Sequence, residues 1–415
     1  MAAFSPANIL LPDPSGAVSI EKWSVVACDQ FTSQPQYWKD VRSLTEGFYS
    51  TVNLILPEAE LAGKSDELIK GIHRKMADYK ADGIYKEYPS SLVYVERTQS
   101  DGSTRRGIVG CIDLEDYDYS PDSSSLIRAT EKTVIERIPP RVAVREGAPT
   151  ELSHVILYAL DEADALISPI TDAKASCPLL YDFDLMKEGG HISGYLISGA
   201  ILDGFMKALD SYYQLQDQKA QAAGRNPVYF TVADGNHSLA SAKECYERAK
   251  REGRANDRLR FAMVELENLH DSSQVVLPIH RLIKGADAPS FLHAMEDALK
   301  AAPGSEGTLS LPWLCGSQSG EIALSSSDPG TAFADIQAFI DRYLAEHEGS
   351  VDYIHGDETI RQLASEEGSI GFIMPAIAKD GFFDNIMKKG VYPRKTFSVG
   401  EATDKRYYLE ARDLY

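Results

Sequence analysis

Residues 228–247, VYFTVADGNHSLASAKECYE, combine an acid, a glycine and a histidine where an apolar run stops. The β-branched stretch ends at Asp234-Gly235-Asn236-His237-Ser238, and the residues after it have helical spacing. A strand that runs straight into a helix aims unpaired backbone N–H groups at whatever lies in front, which favours anions. Gly235 would let the backbone come close to a ligand, and Asn236 could cap the helix. Asp234 could hold a metal or take a hydroxyl proton, and His237 could donate to a phosphate oxygen or carry a proton. A plain strand-to-helix turn accounts for the same residue types.

Three other stretches bring charge or nucleophiles. In RATEKTVIERIPPRVAVRE, Arg128 and Lys132 are four apart, as are Arg137, Arg141 and Arg145. A helix would gather each set on one side, but Pro139 and Pro140 prevent one continuous helix. Glu131, Glu136 and Glu146 could instead pair with these bases on a solvated face. In KKGVYPRKTFSVGEATDKRYY, Gly390 and Lys395-Thr396 imitate the ends of a P-loop, but Arg394 stands where that motif requires glycine. What remains is a basic loop of Arg394, Lys395, Lys405 and Arg406, either an anion contact or a solvated turn. In VVACDQFTSQPQYW, Asp29, Gln30, Thr32 and Ser33 follow an apolar run, as at the strand ends where α/β proteins build sites. Cys28 reads as a small buried thiol, and His280-Arg281 after VVLP could add a base and a cation.

The formal charge of −20 repels polyanions and argues against nucleic acid as a partner. Five scattered cysteines without a CxxC pair argue against a disulfide framework or a structural zinc. The nine histidines show no H-x-x-x-H or H-x-H spacing, so magnesium arriving with a nucleotide is the more natural cation. No apolar run reaches membrane-span length, and MAAFSPANILLPDPSG lacks the basic start and apolar core of a signal peptide. The expectation is a cytoplasmic protein with no membrane partner.

Positioning these groups requires a mixed α/β fold, with mixed sheets and flanking helices. KWSVVAC (22–28), SLVYVERT (91–98) and RRGIVGCIDL (105–114) read as strands, the last two joined by a hairpin. SDELIKGIHRKMADYKADG and SLIRATEKTVIERI read as helices, and HVILYAL, PLLYDFDL and HISGYLI as strands. Residues 227–283 read as strand, helix, strand, strand. Beyond 286 helices and strands alternate, and turn residues cluster in KGADAPS. We therefore expect a main α/β domain over 1–285 that carries the Asp-Gly-Asn-His-Ser block, and a smaller α/β subdomain over 286–415.

Taken together, VADGNHSLASA, VLPIHRLI, RRGIVGCIDLEDY, ATEKT and YPRKTFSVGEATDKRYYLEAR resemble the landmarks of the domain of unknown function 1015 family, over almost the whole chain. That family's usual block is Asp-Gly-His-His-Arg. Asp234, Gly235 and His237 match it, whereas Asn236 and Ser238 depart. A similar block occurs in free serine kinases and in their ParB- and sulfiredoxin-like relatives, where it meets nucleotide phosphates. The resemblance thus implies a ParB/sulfiredoxin-like nucleotide-binding element in the N-terminal part. It places Asp234 by the transferred phosphate or its magnesium, and His237 by the phosphate chain. Losing arginine at Ser238 removes a charge-assisted contact that Lys395 or Arg281 could supply. The implied chemistry is phosphoryl transfer on a small hydroxylated metabolite, serine or phosphoserine, with magnesium and ATP or ADP. Asp234, His237 and Asp29 would be catalytic, with Gly235, Asn236, Ser238, Arg281, Lys395, Arg128 and Arg137 around the nucleotide. A phosphoserine hydrolase without nucleotide and a non-catalytic nucleotide-binding regulator are the alternatives.

Overall fold

The computed structural model describes residues 3–32, 34–63, 65–133, 135–301, 309–393 and 395–415. Ser33 and Arg394, both named above, lie outside them. The fold is mixed α/β and divides into two compact units, Met1–Gln274 with Glu401–Tyr415, and Val275–Gly400.

The first unit is built on one large mixed sheet. Its strands include β1 (Ala7–Pro12), β2 (Tyr85–Thr98), β3 (Thr104–Asp113), β4 (Ile127–Arg128), β5 (Thr150–Leu152), β6 (Ile156–Ala159), β7 (Phe230–Asp234) and β8 (Phe261–Asn268). The path through the middle runs β4-β7-β6-β8-β3-β2-β1, continues through the strand Ala411–Asp413 and ends on β5. Because β5 and β6 are three residues apart in sequence, the far end of this path comes back to within a short tether of its middle. β2 and β3 form the expected hairpin, with Thr98 opposite Thr104. β7 runs parallel to β4 and antiparallel to β6, and β8 runs parallel to β6. Phe230 and Val232 point into a core shared with Leu157, Val264 and Phe4, so burial on the sheet fixes the register of β7.

Two helices matter for the site, α1 (Ile138–Arg145) and α2 (Asn236–Arg251). Pro139 and Pro140 sit in the first turn of α1, where the missing N–H costs nothing, so they begin a helix. The helix expected across residues 125–138 does not form. Ile127–Arg128 is strand, paired parallel with Phe230–Thr231, because burying Ile127 in the sheet outweighs local helix propensity. Arg128 and Lys132 therefore share no helical face. The strand expected over 22–28 also differs: Ile20–Trp23 is a helical turn, and Val26 makes a single bridge to Tyr407.

The second unit holds a smaller sheet that includes Val276–Lys284, Ser310–Cys315, Gln318–Ala323, Ser350–His355 and Ser369–Phe372. Helices Ala288–Leu299, Pro329–Glu346 and Asp357–Ala364 accompany it. The strand Val276–Lys284 pairs wholly within this unit, so the break falls at Gln274/Val275, ahead of the turn residues near 285. The last strand, Ala411–Asp413, pairs with β1 and β5, which returns the C-terminus to the first unit. A turn cluster marks where the backbone bends, whereas strand pairing decides which unit a segment joins.

Candidate functional site

The site is built where β7 meets α2. β7 carries a bulge: Val232 faces Leu157 while Asp234 faces Ile156, leaving Ala233 as the extra residue. A bulge re-aims the side chain after it, here Asp234. Gly235 follows at φ 81°, in the left-handed region. A Cβ there would stand 3.0 Å from the Val155 Cα, so glycine answers both the turn and the close backbone approach. Gly235 supplies no side-chain cap to α2, which leaves the first turn of a sixteen-residue helix without one.

Asn236 is the first helical residue, not the cap. Its Oδ1 accepts from the Thr130 N–H at 3.3 Å, and its Nδ2 donates to Thr130 Oγ1 at 3.3 Å. Thr130 Oγ1 in turn donates to the Val232 carbonyl at 2.6 Å, so Asn236 ties the segment after β4 to the start of α2. His237 is half-buried, and its carbonyl accepts from Ser241 Oγ at 2.7 Å.

The Asp234 carboxylate faces a lysine from the other end of the chain. Lys405 Nζ lies 3.8 Å from Asp234 Oδ2, a buried oxygen with no hydrogen-bond partner among the described residues. Ser238 Oγ is 3.2 Å from His154 Nε2, and His154 Nδ1 is 2.7 Å from the Tyr408 hydroxyl. Asp29 Oδ1 stands 3.9 Å from His154 Nε2 and accepts from Gln30 Nε2 at 3.1 Å. Burial pushes the Asp29 carboxyl up, but His154, Gln30, Arg141 and Lys405 outweigh it and hold it below its usual value. The Cys28 thiol goes the other way, to about 12, through burial and the charge of Asp29, which removes it as a nucleophile at neutral pH.

A cavity of about 130 Å³ opens beside Ser238, between α1, α2 and the sheet. Arg141 Nη2 reaches Glu58 Oε2 at 3.0 Å on its wall, and Arg137 Nη1 reaches Glu58 Oε1 at 3.2 Å. Arg137, just before α1, and Arg141 thus share Glu58, a carboxylate from outside their own segment.

The structure brings Asp29, Asp234, Gly235, Asn236, His237 and Ser238 into one region of the first unit. Arg128, on β4, is buried and donates from Nε to the Ser125 carbonyl at 2.9 Å. Arg281 and Lys395 belong to the second unit. Arg281 is wholly buried there, donating to Gln337 Oε1 at 2.8 Å and to the Ile279 carbonyl at 2.6 Å, over the Phe333 and Tyr353 rings. That surrounding makes it part of the second unit's interior and not an open phosphate contact. Lys395 is exposed, with φ 57°.

His154 and Tyr408 were not anticipated. His154 lies in the three-residue link between β5 and β6, and Tyr408 follows Lys405 late in the chain, so long-range pairing such as that of Tyr408 with Val25 is needed to bring them together. The DKRYY run held the signal, as two cations and two aromatics in an otherwise acidic chain. Among the described residues no cluster of three or more metal-ligating side chains occurs, and no helix is long and apolar enough to cross a membrane.

A family model described as a protein of unknown function, DUF1015, matches residues 13–369. No curated protein matches the chain. Among solved structures, a free serine kinase in complex with AMP is similar at 13% identity and a TM-score of 0.38, covering 73% of this chain and 90% of that one. A C-terminally truncated SbnI from Staphylococcus aureus is similar at 8% identity and a TM-score of 0.37, covering 70% and 82%. A conserved hypothetical protein from Pyrococcus furiosus is similar at 12% identity and a TM-score of 0.37, covering 74% and 97%.

Proposed function

This chain belongs to the DUF1015 family, and we propose that its first unit catalyses phosphoryl transfer between a nucleotide and a hydroxyl group at the β7–α2 junction. The observation that carries this reading is Asp234 Oδ2, buried without a hydrogen-bond partner at a helix start, with the Lys405 ammonium 3.8 Å away. An unsatisfied buried carboxylate oxygen costs stability, on the order of 1–3 kcal/mol or more, and such a cost is held where a ligand relieves it.

Phosphoryl transfer asks mainly for positioning and charge neutralisation. The first turn of α2, with Gly235 leaving its approach clear, suits a phosphate group, and Lys405 supplies a cation beside it. The donor set fits magnesium brought by a nucleotide, because that ion uses one or two protein carboxylates and takes its other oxygens from phosphate and water. Asp234 would be its protein ligand, and when bound it would neutralise charge on the phosphate oxygens. Asp29, kept ionised by its neighbours, is placed to take the acceptor hydroxyl proton. His154 holds Ser238 and stands next to Asp29, so it orders the region between them. ATP or ADP as the nucleotide, and serine or phosphoserine as the metabolite, enter from the family resemblance.

The test is a melting series with ATP, ADP, GTP and CTP, with and without magnesium, followed by phosphorus NMR of mixtures with hydroxylated metabolites. A nucleotide at 100 times its dissociation constant should stabilise the fold by roughly 2.7 kcal/mol. We expect a magnesium-dependent shift and a new phosphate ester. Phosphate release from phosphoserine without nucleotide would make the protein a hydrolase. A nucleotide shift with no turnover across the panel would make it a binding protein. No shift with any nucleotide would remove the kinase reading.

A further inference from the structure

The cavity beside Ser238 has mostly apolar walls, which serine alone would leave uncovered. Leu54, Leu56, Met76, Val144, Ala242 and Met263 are among the residues that line it, and an apolar cavity of this size sacrifices packing unless something fills it. Its charged groups are mostly neutralised in place, Arg141 by Glu58, and Glu151 by two arginines at once.

That last arrangement leaves donors over. Arg145 Nη1 donates to Glu151 Oε1 at 2.5 Å, while Arg412 Nε occupies Glu151 Oε2, so both carboxylate oxygens are taken and the two guanidiniums share one negative charge. Arg145 Nε and Nη2 are buried and have no hydrogen-bond partner among the described residues. Thr150 Oγ1, on a residue only 1% exposed, is in the same condition. Arg145, Thr150 and Glu151 line the cavity. Two adjacent N–H groups on one edge of a guanidinium match the two oxygens of a carboxylate.

The other end of the cavity is set by Ser238, His154 and Tyr408, which present hydroxyl and imidazole groups. Arg145 closes α1, which meets α2 near Cys245, whose Sγ lies 3.9 Å from the Val142 carbonyl. At 1.5 Å per residue, the rise along α2 from Ser238 to Cys245 is about 10 Å.

We propose that this cavity binds a carboxylic acid with an extended apolar body, its carboxylate on Arg145 and Thr150 and its far end at Ser238 and His154. Where that far end carries a hydroxyl, it is the phosphoryl acceptor; this clause rests on the function proposed above, while the binding does not. Serine carries the carboxylate and the hydroxyl but would leave the apolar walls uncovered.

The experiment is calorimetry on the full chain, without nucleotide, using octanoate, omega-hydroxyoctanoate, octanol and L-serine. Both acids should bind, with octanol weaker by about tenfold or more through loss of the charge-assisted pair. Arg145→Met should bring octanoate to the level of octanol and leave octanol unchanged. Thr150→Val should weaken octanoate in the same sense. Ala242→Leu, which fills the cavity, should abolish binding of all three apolar ligands while raising the melting temperature of the unliganded protein. If Arg145→Met fails to fold, the parent series and Ala242→Leu still decide. No octanoate binding to the parent, equal affinity for octanoate and octanol, or octanoate binding that survives Ala242→Leu overturns the proposal. Nucleotide melting shifts on the same samples separate the two readings: octanoate binding without a nucleotide response sinks phosphoryl transfer, and a nucleotide response without octanoate binding sinks the carboxylate site.

Discussion

Lys405 Nζ stands 3.8 Å from Asp234 Oδ2, beyond hydrogen-bond length, and both groups are largely buried. The lysine is presented by a rigid segment. Its carbonyl accepts from Arg97 Nη1, and the neighbouring Arg406 donates to Glu265 Oε2 at 2.8 Å and to Glu410 Oε2 at 2.6 Å. At this separation nothing fits directly between the two groups, but a ligand lying beside them would meet a cation and a carboxylate together.

Asp234→Asn and Lys405→Met separate the roles of that pair. The amide keeps the shape of Asp234 but removes its charge, so turnover should fall about 100-fold, roughly 2.7 kcal/mol in the barrier, with nucleotide affinity changed little. Lys405→Met removes the proposed phosphate contact, which would act in the ground state, so nucleotide affinity should fall together with rate. Turnover and calorimetric affinity are measured on both, after each is shown to melt like the parent. Full activity in Asp234→Asn would release that residue from the chemistry.

Gly235→Ala tests whether the backbone at the helix start is as constrained as it looks. The left-handed φ and the 3.0 Å approach of an added Cβ to Val155 Cα both oppose a side chain. Stability should drop by about 1–3 kcal/mol, read as a lowered denaturant midpoint with an unchanged slope. A neutral substitution would mean that Val155 gives way freely and that the tight approach plays no part.

The strand-to-helix turn at this junction was legible because it is local. Asp234, Gly235 and the start of α2 are contiguous, and an apolar run followed by turn residues and helical spacing needs no tertiary information. Arg128 was misplaced for the opposite reason. Its helical spacing to Lys132 is real, but Ile127 and Arg128 pair with Phe230 and Thr231, about a hundred residues away, and that pairing overrides local propensity. His154 and Tyr408 were beyond a local reading too, and Lys405, legible as part of a basic loop, gave no sign of its partner Asp234, since residues 25–27 and 406–408 meet through long-range backbone bonds. Arg281 looked like a spare cation until its strand proved to pair inside the second unit.

Asp29 should support the fold at neutral pH and cease to do so in acid. Its carboxyl is held below the ordinary value of 3.8, so the folded state releases that proton more readily than the unfolded chain. Such a group contributes stability that is fully present above its unfolded pKa and is lost as pH falls through the lower, folded value. Asp29→Asn should therefore flatten the loss of stability below about pH 4 that the parent shows, as measured by urea midpoints across that range. Identical acid limbs in parent and variant would take Asp29 out of the charge cluster.

Glu267 should act in the opposite sense and over a different pH window. It is wholly buried on β8, where Gln274 Nε2 donates to its Oε2 at 2.7 Å and Arg105 Nε lies 2.9 Å from its Oε1. Burial raises its pKa, Arg105 offsets part of that, and Glu265 on the same face raises it further, from 4.5 to about 8. Arg406 holds Glu265 ionised, so Glu267 is the member of the pair that keeps a proton. Between about pH 4.5 and 8 the folded state then binds one more proton than the unfolded chain, and stability falls as pH rises. For one group the slope is at most about 1.4 kcal/mol per pH unit. Glu267→Gln preserves the shape and the contact with Gln274 but cannot ionise. Its stability should change less than the parent's across this window, and its advantage should be largest near pH 8, as read from denaturant midpoints at matched ionic strength. A variant that tracks the parent at every pH would mean that the proton resides elsewhere in the Glu265, Glu267 and Arg105 cluster.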